Sequence, residues 1–146
     1  MATHFLGGLA MKPVAIADGT TYTALASNTG KVHLLPDLTA SCTITLPAPA
    51  DGLVYEFIGY GAAADAQNWV VDAAASGDLM KGGVVHLDSD AGSAGDEVVD
   101  VYANGSSHYI LTITTPGAGT NVKFVSDGTY WYVSGTVVSA TAPAFS

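Results

Sequence analysis

The chain has 146 residues, thirteen Asp and Glu against four Lys, a net charge of −9 and a single cysteine. That balance argues against direct nucleic-acid binding and against attraction to an anionic membrane, both of which need a basic surface, and one cysteine excludes a disulfide framework. The length suits one domain; with 49% hydrophobic and 12% charged residues, a good deal of apolar surface is expected to be covered by copies of the chain or by another protein.

Residues 1–18 hold Phe5, Leu6, Leu9 and Met11 around Gly7-Gly8, with Pro13 after them. Glycine and proline argue against a useful helix, so the segment reads as an extended arm. It is laid either as a first strand on its own sheet or on a neighbouring subunit or partner. Phe5 to Met11 is too short and wrongly flanked for a signal peptide, and no run reaches the ~20 apolar residues of a membrane helix. Synthesis in the cytoplasm is the expectation.

The β pattern starts at Asp18-Gly19. Thr20–Leu25 and Lys31–Leu35 are strand-like, separated by the turn Ser27-Asn28-Thr29-Gly30. Thr43-Ile44-Thr45-Leu46 alternates polar and apolar. Pro47 and Pro49 then stop pairing by removing ladder donors, Asp51-Gly52 turns, and Leu53–Ile58 resumes an apolar run. Asn68–Asp72 and Val84–Leu87 are further strands, and 88–97 is an acidic loop. Asn104-Gly105 predicts a hairpin joining 97–103 to 108–114, and Asp127-Gly128 a second, joining 122–126 to 129–133. Residues 139–146 carry no strand signal and read as a C-terminal tail. The sum is an all-β chain of about ten short antiparallel strands, a single β-sandwich or barrel-like domain over 19–138 with an extended N-terminal arm.

Chemistry is sparse. Counted as a calcium loop from Asp88, the acidic segment has its glycine one place early and Val99 at the twelfth position. His4, His33, His86 and His108 share no metal-ligand spacing with one another or with Cys42, which reads as a small buried side chain. Ser107, His108 and Asp100 could be drawn as a triad, but no nucleophile-elbow pattern surrounds them. No phosphate-binding loop is present. No enzymatic activity, metal or cofactor is expected. In Thr129–Val133 a period of two sets Trp131 on one face and Tyr130 and Tyr132 on the other. The tyrosines then form a protein interface, stack on a sugar, or belong to a strand buried on both faces.

Three segments, Thr23–Val32, Thr43–Phe57 with its Thr45-Leu46-Pro47-Ala48-Pro49 corner, and Val122–Gly135 with Ser126-Asp127-Gly128-Thr129-Tyr130-Trp131-Tyr132-Val133, resemble in this order small virion proteins of tailed bacteriophages. The similarity is greatest to head decoration (cement) proteins. It implies a homotrimer on the outer capsid surface of the virion, bound to the major capsid protein, that stabilises the lattice by bridging capsomers. It implies no nucleic-acid or membrane partner. Related corner and closing strands also occur in tail-fibre and receptor-binding parts, which implies as an alternative a knob module that binds a host-surface glycan. Phe5, Leu6, Leu9, Met11, Tyr130 and Tyr132 are the interface candidates.

Overall fold

Alternation becomes two-facedness wherever the sequence shows it. In the strand Cys42–Thr45, Cys42 and Ile44 are fully buried while Thr43 and Thr45 are half-covered. In Trp131–Ser139, Trp131, Val133 and Val137 are buried and Tyr132 and Ser134 are exposed. The computed structural model describes residues 11–61, 66–90 and 98–146. Among them the strands are β1 (Val14–Ala15), β2 (Thr21–Thr23), β3 (Val32–Leu35), β4 (Cys42–Thr45), β5 (Asp51–Gly59), β6 (Trp69–Asp72), β7 (Met80–Asp88), β8 (Val98–Asn104), β9 (Ile110–Ile113), β10 (Asn121–Asp127), β11 (Trp131–Ser139) and β12 (Ala144–Phe145). The helical content of these residues is one 3-10 turn, Ala26–Asn28.

The strands form two sheets, one of seven in the order β1-β3-β5-β10-β11-β7-β8 and one of five in the order β12-β9-β6-β4-β2. They share one core, in which Ile44, Val71 and Leu111 of the smaller sheet join Tyr55, Phe57, Phe124 and Trp131 of the larger. This is an all-β fold compatible with a sandwich and not a closed barrel. The expectation of antiparallel strands is corrected. Five of the ten pairings are parallel. The cause is the route of the chain. From β1 to β6 each connection crosses to the other sheet, so every second strand returns to the same sheet in the same direction. β1, β3 and β5 thus run parallel in one sheet, and β2, β4 and β6 in the other.

The proline corner is one of these crossings. The Leu46 N–H still donates to Asp72 O at 2.8 Å, and the chain then leaves β4 through Pro47 and Pro49 to enter β5 in the opposite sheet, because a proline nitrogen has no hydrogen for the ladder. Asn104-Gly105 also corrects a reading: it is a turn but not a hairpin. β8 pairs with β7 in the larger sheet, and β9 pairs with β6 and β12 in the smaller. The Asp127-Gly128 hairpin forms as read, between β10 and β11.

Both chain ends of the described region are built into the sheets. Val14 and Ala15 pair in parallel with His33 and Leu34, Ile16 is buried, and Asp18 accepts hydrogen bonds from the Thr39 N–H and hydroxyl at 2.9 Å each. Residues 14–18 are therefore domain and not free arm. The tail reading of 139–146 is corrected as well, for Ala144 and Phe145 pair with Thr112 and Leu111. The Ser146 carbonyl accepts from the Tyr109 and Ile110 N–H groups.

Candidate protein interface

Directly paired residues point to the same side of a sheet, so the register of the larger sheet assigns its outer face residue by residue. Over β5, β10 and β11 one outer row is Glu56, Lys123 and Ser134. Asn121 Nδ2 donates to Glu56 Oε1 at 2.7 Å. This half of the face is mixed, for Val54 and Val125 are paired in the next outer row and Ile58 stands opposite Asn121. Over β11, β7 and β8 the side chains of Val138, Leu87 and Val98 stand side by side in one row. Tyr102 lies two rows along on β8, and Tyr132, opposite Lys81, three rows along on β11. Val98 is 71% exposed, Tyr102 66% and Tyr132 42%, and Leu87 is exposed too. Val99, on the other side of β8, is also exposed.

Asp100 lies between Val98 and Tyr102 on this face. It accepts the Tyr102 hydroxyl hydrogen bond and so raises the phenol's pKa, because the carboxylate favours the protonated ring. Lys81 is the cation at the other end, its Nζ 3.4 Å from the centre of the Tyr130 ring. Tyr130 and Tyr132 meet edge to face at 6.5 Å, and the Tyr132 hydroxyl donates to Asp127 Oδ2 at 3.0 Å. Asp127 Oδ1 accepts the N–H groups of Thr129 and Tyr130 at 2.8 Å each. These backbone donors, Tyr130 first, are the main reason its pKa lies below the ordinary aspartate value.

Of the residues singled out by sequence, Tyr130 and Tyr132 are brought together beside Lys81, and the reading of β11 as buried on both faces is set aside. Met11 is exposed ahead of β1. Phe5, Leu6 and Leu9 lie outside the described residues, as does most of the acidic segment. Leu87, Val98 and Tyr102 were not singled out. A run such as Val98-Val99-Asp100-Val101-Tyr102 has apolar residues on both faces, as inner strands do, and gives no local sign of lying at a border.

No protein-family model matches this chain, and no curated protein sequence matches it.

The remaining candidate groups serve structure. His33 is fully buried among the rings of Tyr22, Tyr55 and Phe57, with centroids 5.8, 5.7 and 5.1 Å away. Its Nδ1 lies 3.1 Å from the Lys31 carbonyl. Desolvation lowers its pKa, outweighing that carbonyl. His86 Nε2 lies 2.9 Å from the Ser139 carbonyl. His108 Nδ1 accepts the Asn104 N–H, and its ring stacks on Phe145. The Ser107 hydroxyl takes a hydrogen bond from Asn104 Nδ2. These contacts tie Ser107 and His108 to Asn104 as parts of a turn. Cys42 is a buried free thiol. Among the described residues no group of three or more His, Cys, Asp or Glu is placed to hold a metal ion. A cleft lined by Leu35, Gly59, Trp69 and Pro116 encloses about 10 Å³, room for about one water molecule.

Proposed function

We propose that this chain is a decoration protein of a tailed-phage head, bound as a homotrimer to the outside of the capsid lattice and to the major capsid protein. The observation that carries the reading is the set of exposed apolar side chains on the outer face of β11, β7 and β8. Val98, Tyr102, Leu87 and Tyr132 stand in water on a chain that is otherwise acidic and poor in charge. Such a face gains free energy by being covered, at ~25 cal/mol per Å², and a stable contact of this kind takes ~800 Å² from each partner. The ordered resemblance of the proline corner and the closing β11 segment to decoration proteins supports the same role. A protein that acts by covering area needs no reactive group, and its net charge of −9 keeps it off packaged nucleic acid.

The glycan-binding alternative draws less support. A sugar stacks on the open face of an aromatic ring, and the Lys81 ammonium already lies over Tyr130.

Cryo-electron microscopy of the particle that encodes the chain, beside particles lacking the gene, tests the reading. The expected result is density for this fold on the outer lattice, and earlier loss of packaged DNA on heating when it is missing. Density at the tail tip, or particles of unchanged composition, would overturn it.

A further inference from the structure

We propose that the free edge of β8 receives residues 1–10 of a second copy of this chain as an added strand, so that copies join arm to edge. Among the described residues β8 is the last strand of the larger sheet on its side, and it is seven residues long. The other three borders are two or three residues long, at β1, β12 and β2. Short borders are the usual protection against unwanted pairing. A long border with exposed Val98, Val99 and Tyr102 is a template for strand addition.

Charge selects the occupant. Asp88, Asp90, Asp96, Glu97 and Asp100 are five of the thirteen acidic residues, and all lie within 88–100. Pairing β8 with β8 of another copy would bring two such sets together, and like charges across a ladder are destabilising. Residues 1–17 contain no carboxylate and carry Lys12 and His4. As a strand they alternate Phe5 and Leu9 with Leu6, an apolar row for Val98 and Tyr102.

Reach selects the copy. β1 and β8 stand at opposite borders of the seven-stranded sheet. Six steps of ~4.8 Å separate them, about 29 Å. If residues up to Ala10 lay along β8 of their own chain, the link from Ala10 to Val14 would span at most roughly 14 Å. The arm must therefore serve a neighbour. A contact in which one surface meets a different one closes only as a ring, which agrees with a trimer but does not depend on any capsid.

Sedimentation velocity on the 146-residue chain, without capsid, tests this together with two variants that change only the arm or exposed edge residues. The wild type should form one closed oligomer over a wide concentration range. An arm variant, Phe5→Asp with Leu6→Asp, and an edge variant, Val98→Lys with Tyr102→Lys, should each be monomeric and keep the wild-type circular dichroism. Mixed, they should form a one-to-one pair, because one supplies a sound edge and the other a sound arm. Hydrogen exchange provides a second readout: β8 amides should be protected in the wild type and exchange freely in the arm variant. A monomeric wild type, an arm variant that still assembles, a mixture that stays monomeric, or β8 amides equally fast in both proteins would each overturn the proposal.

Discussion

Asn104 and His108 are bonded to each other in both directions: the Asn104 N–H donates to His108 Nδ1 at 3.1 Å, and the His108 N–H donates to Asn104 Oδ1 at 3.2 Å. The same Oδ1 accepts the N–H groups of Ser106 and Ser107 at 2.9 Å. One side chain thus satisfies three backbone donors at the point where the chain leaves β8 and crosses to β9 in the other sheet. Asn104→Ala should cost about 1–2 kcal/mol in chemical denaturation, because water replaces only part of that set. Asn104→Asp, which keeps the acceptor, should lose much less.

Gly135, where β11 runs past β10, has φ +144°, and a Cβ there would overlap the Asn121 carbonyl oxygen. Gly52 also has positive φ, +81°, but open space around it. Alanine at position 52 should cost about 1–2 kcal/mol, the backbone penalty alone. At position 135 it should cost roughly 3 kcal/mol or more, since backbone has to move. Equal losses in thermal unfolding would contradict this placement of β11 against β10.

Phe124 is fully buried and meets Phe57 edge to face at 5.9 Å. Phe124→Ala should destabilise the fold by about 3–5 kcal/mol in a denaturant titration. A loss below about 1 kcal/mol is the size of a surface change and would remove this residue from the core.

His33 couples stability to pH. Its folded pKa is lower than the ordinary value of 6.5 because burial disfavours the charged ring. Above that value both folded and unfolded chains are neutral at this site. As pH falls below it the unfolded chain takes up the proton first, so stability is lost from that point downward until the folded ring also protonates. His33→Leu should flatten the fall in melting temperature just below pH 6.5 relative to the wild type. An unchanged slope would show that the ring titrates as freely folded as unfolded.

The pKa of Asp127 offers a check on the hairpin turn. Backbone N–H groups of Tyr130 and Thr129 are its leading causes, ahead of the Tyr132 hydroxyl. In a carboxyl NMR titration of Tyr132→Phe, Asp127 should stay below the ordinary aspartate range and rise only slightly. A return to the ordinary value would make the hydroxyl the principal donor instead.

Local pattern was enough to establish much of this protein. The alternation of Cys42–Leu46, the stop at Pro47 and Pro49, the turn at Asp127-Gly128 and the burial of Cys42 and Trp131 all follow from side-chain period and backbone chemistry within a few residues. Direction and partnership do not, because a strand's pattern says which face is apolar and not which sheet will cover it. Only the assembled core decided that β1 to β6 wind alternately through two sheets, that β8 and β9 part company after Asn104, and that Ala144–Phe145 closes on β9. For the same reason the exposed row of Val98 and Tyr102 emerged only with the sheet order: a residue's neighbours across a ladder are set by burial summed over the whole chain, and that sum leaves no mark on any single stretch.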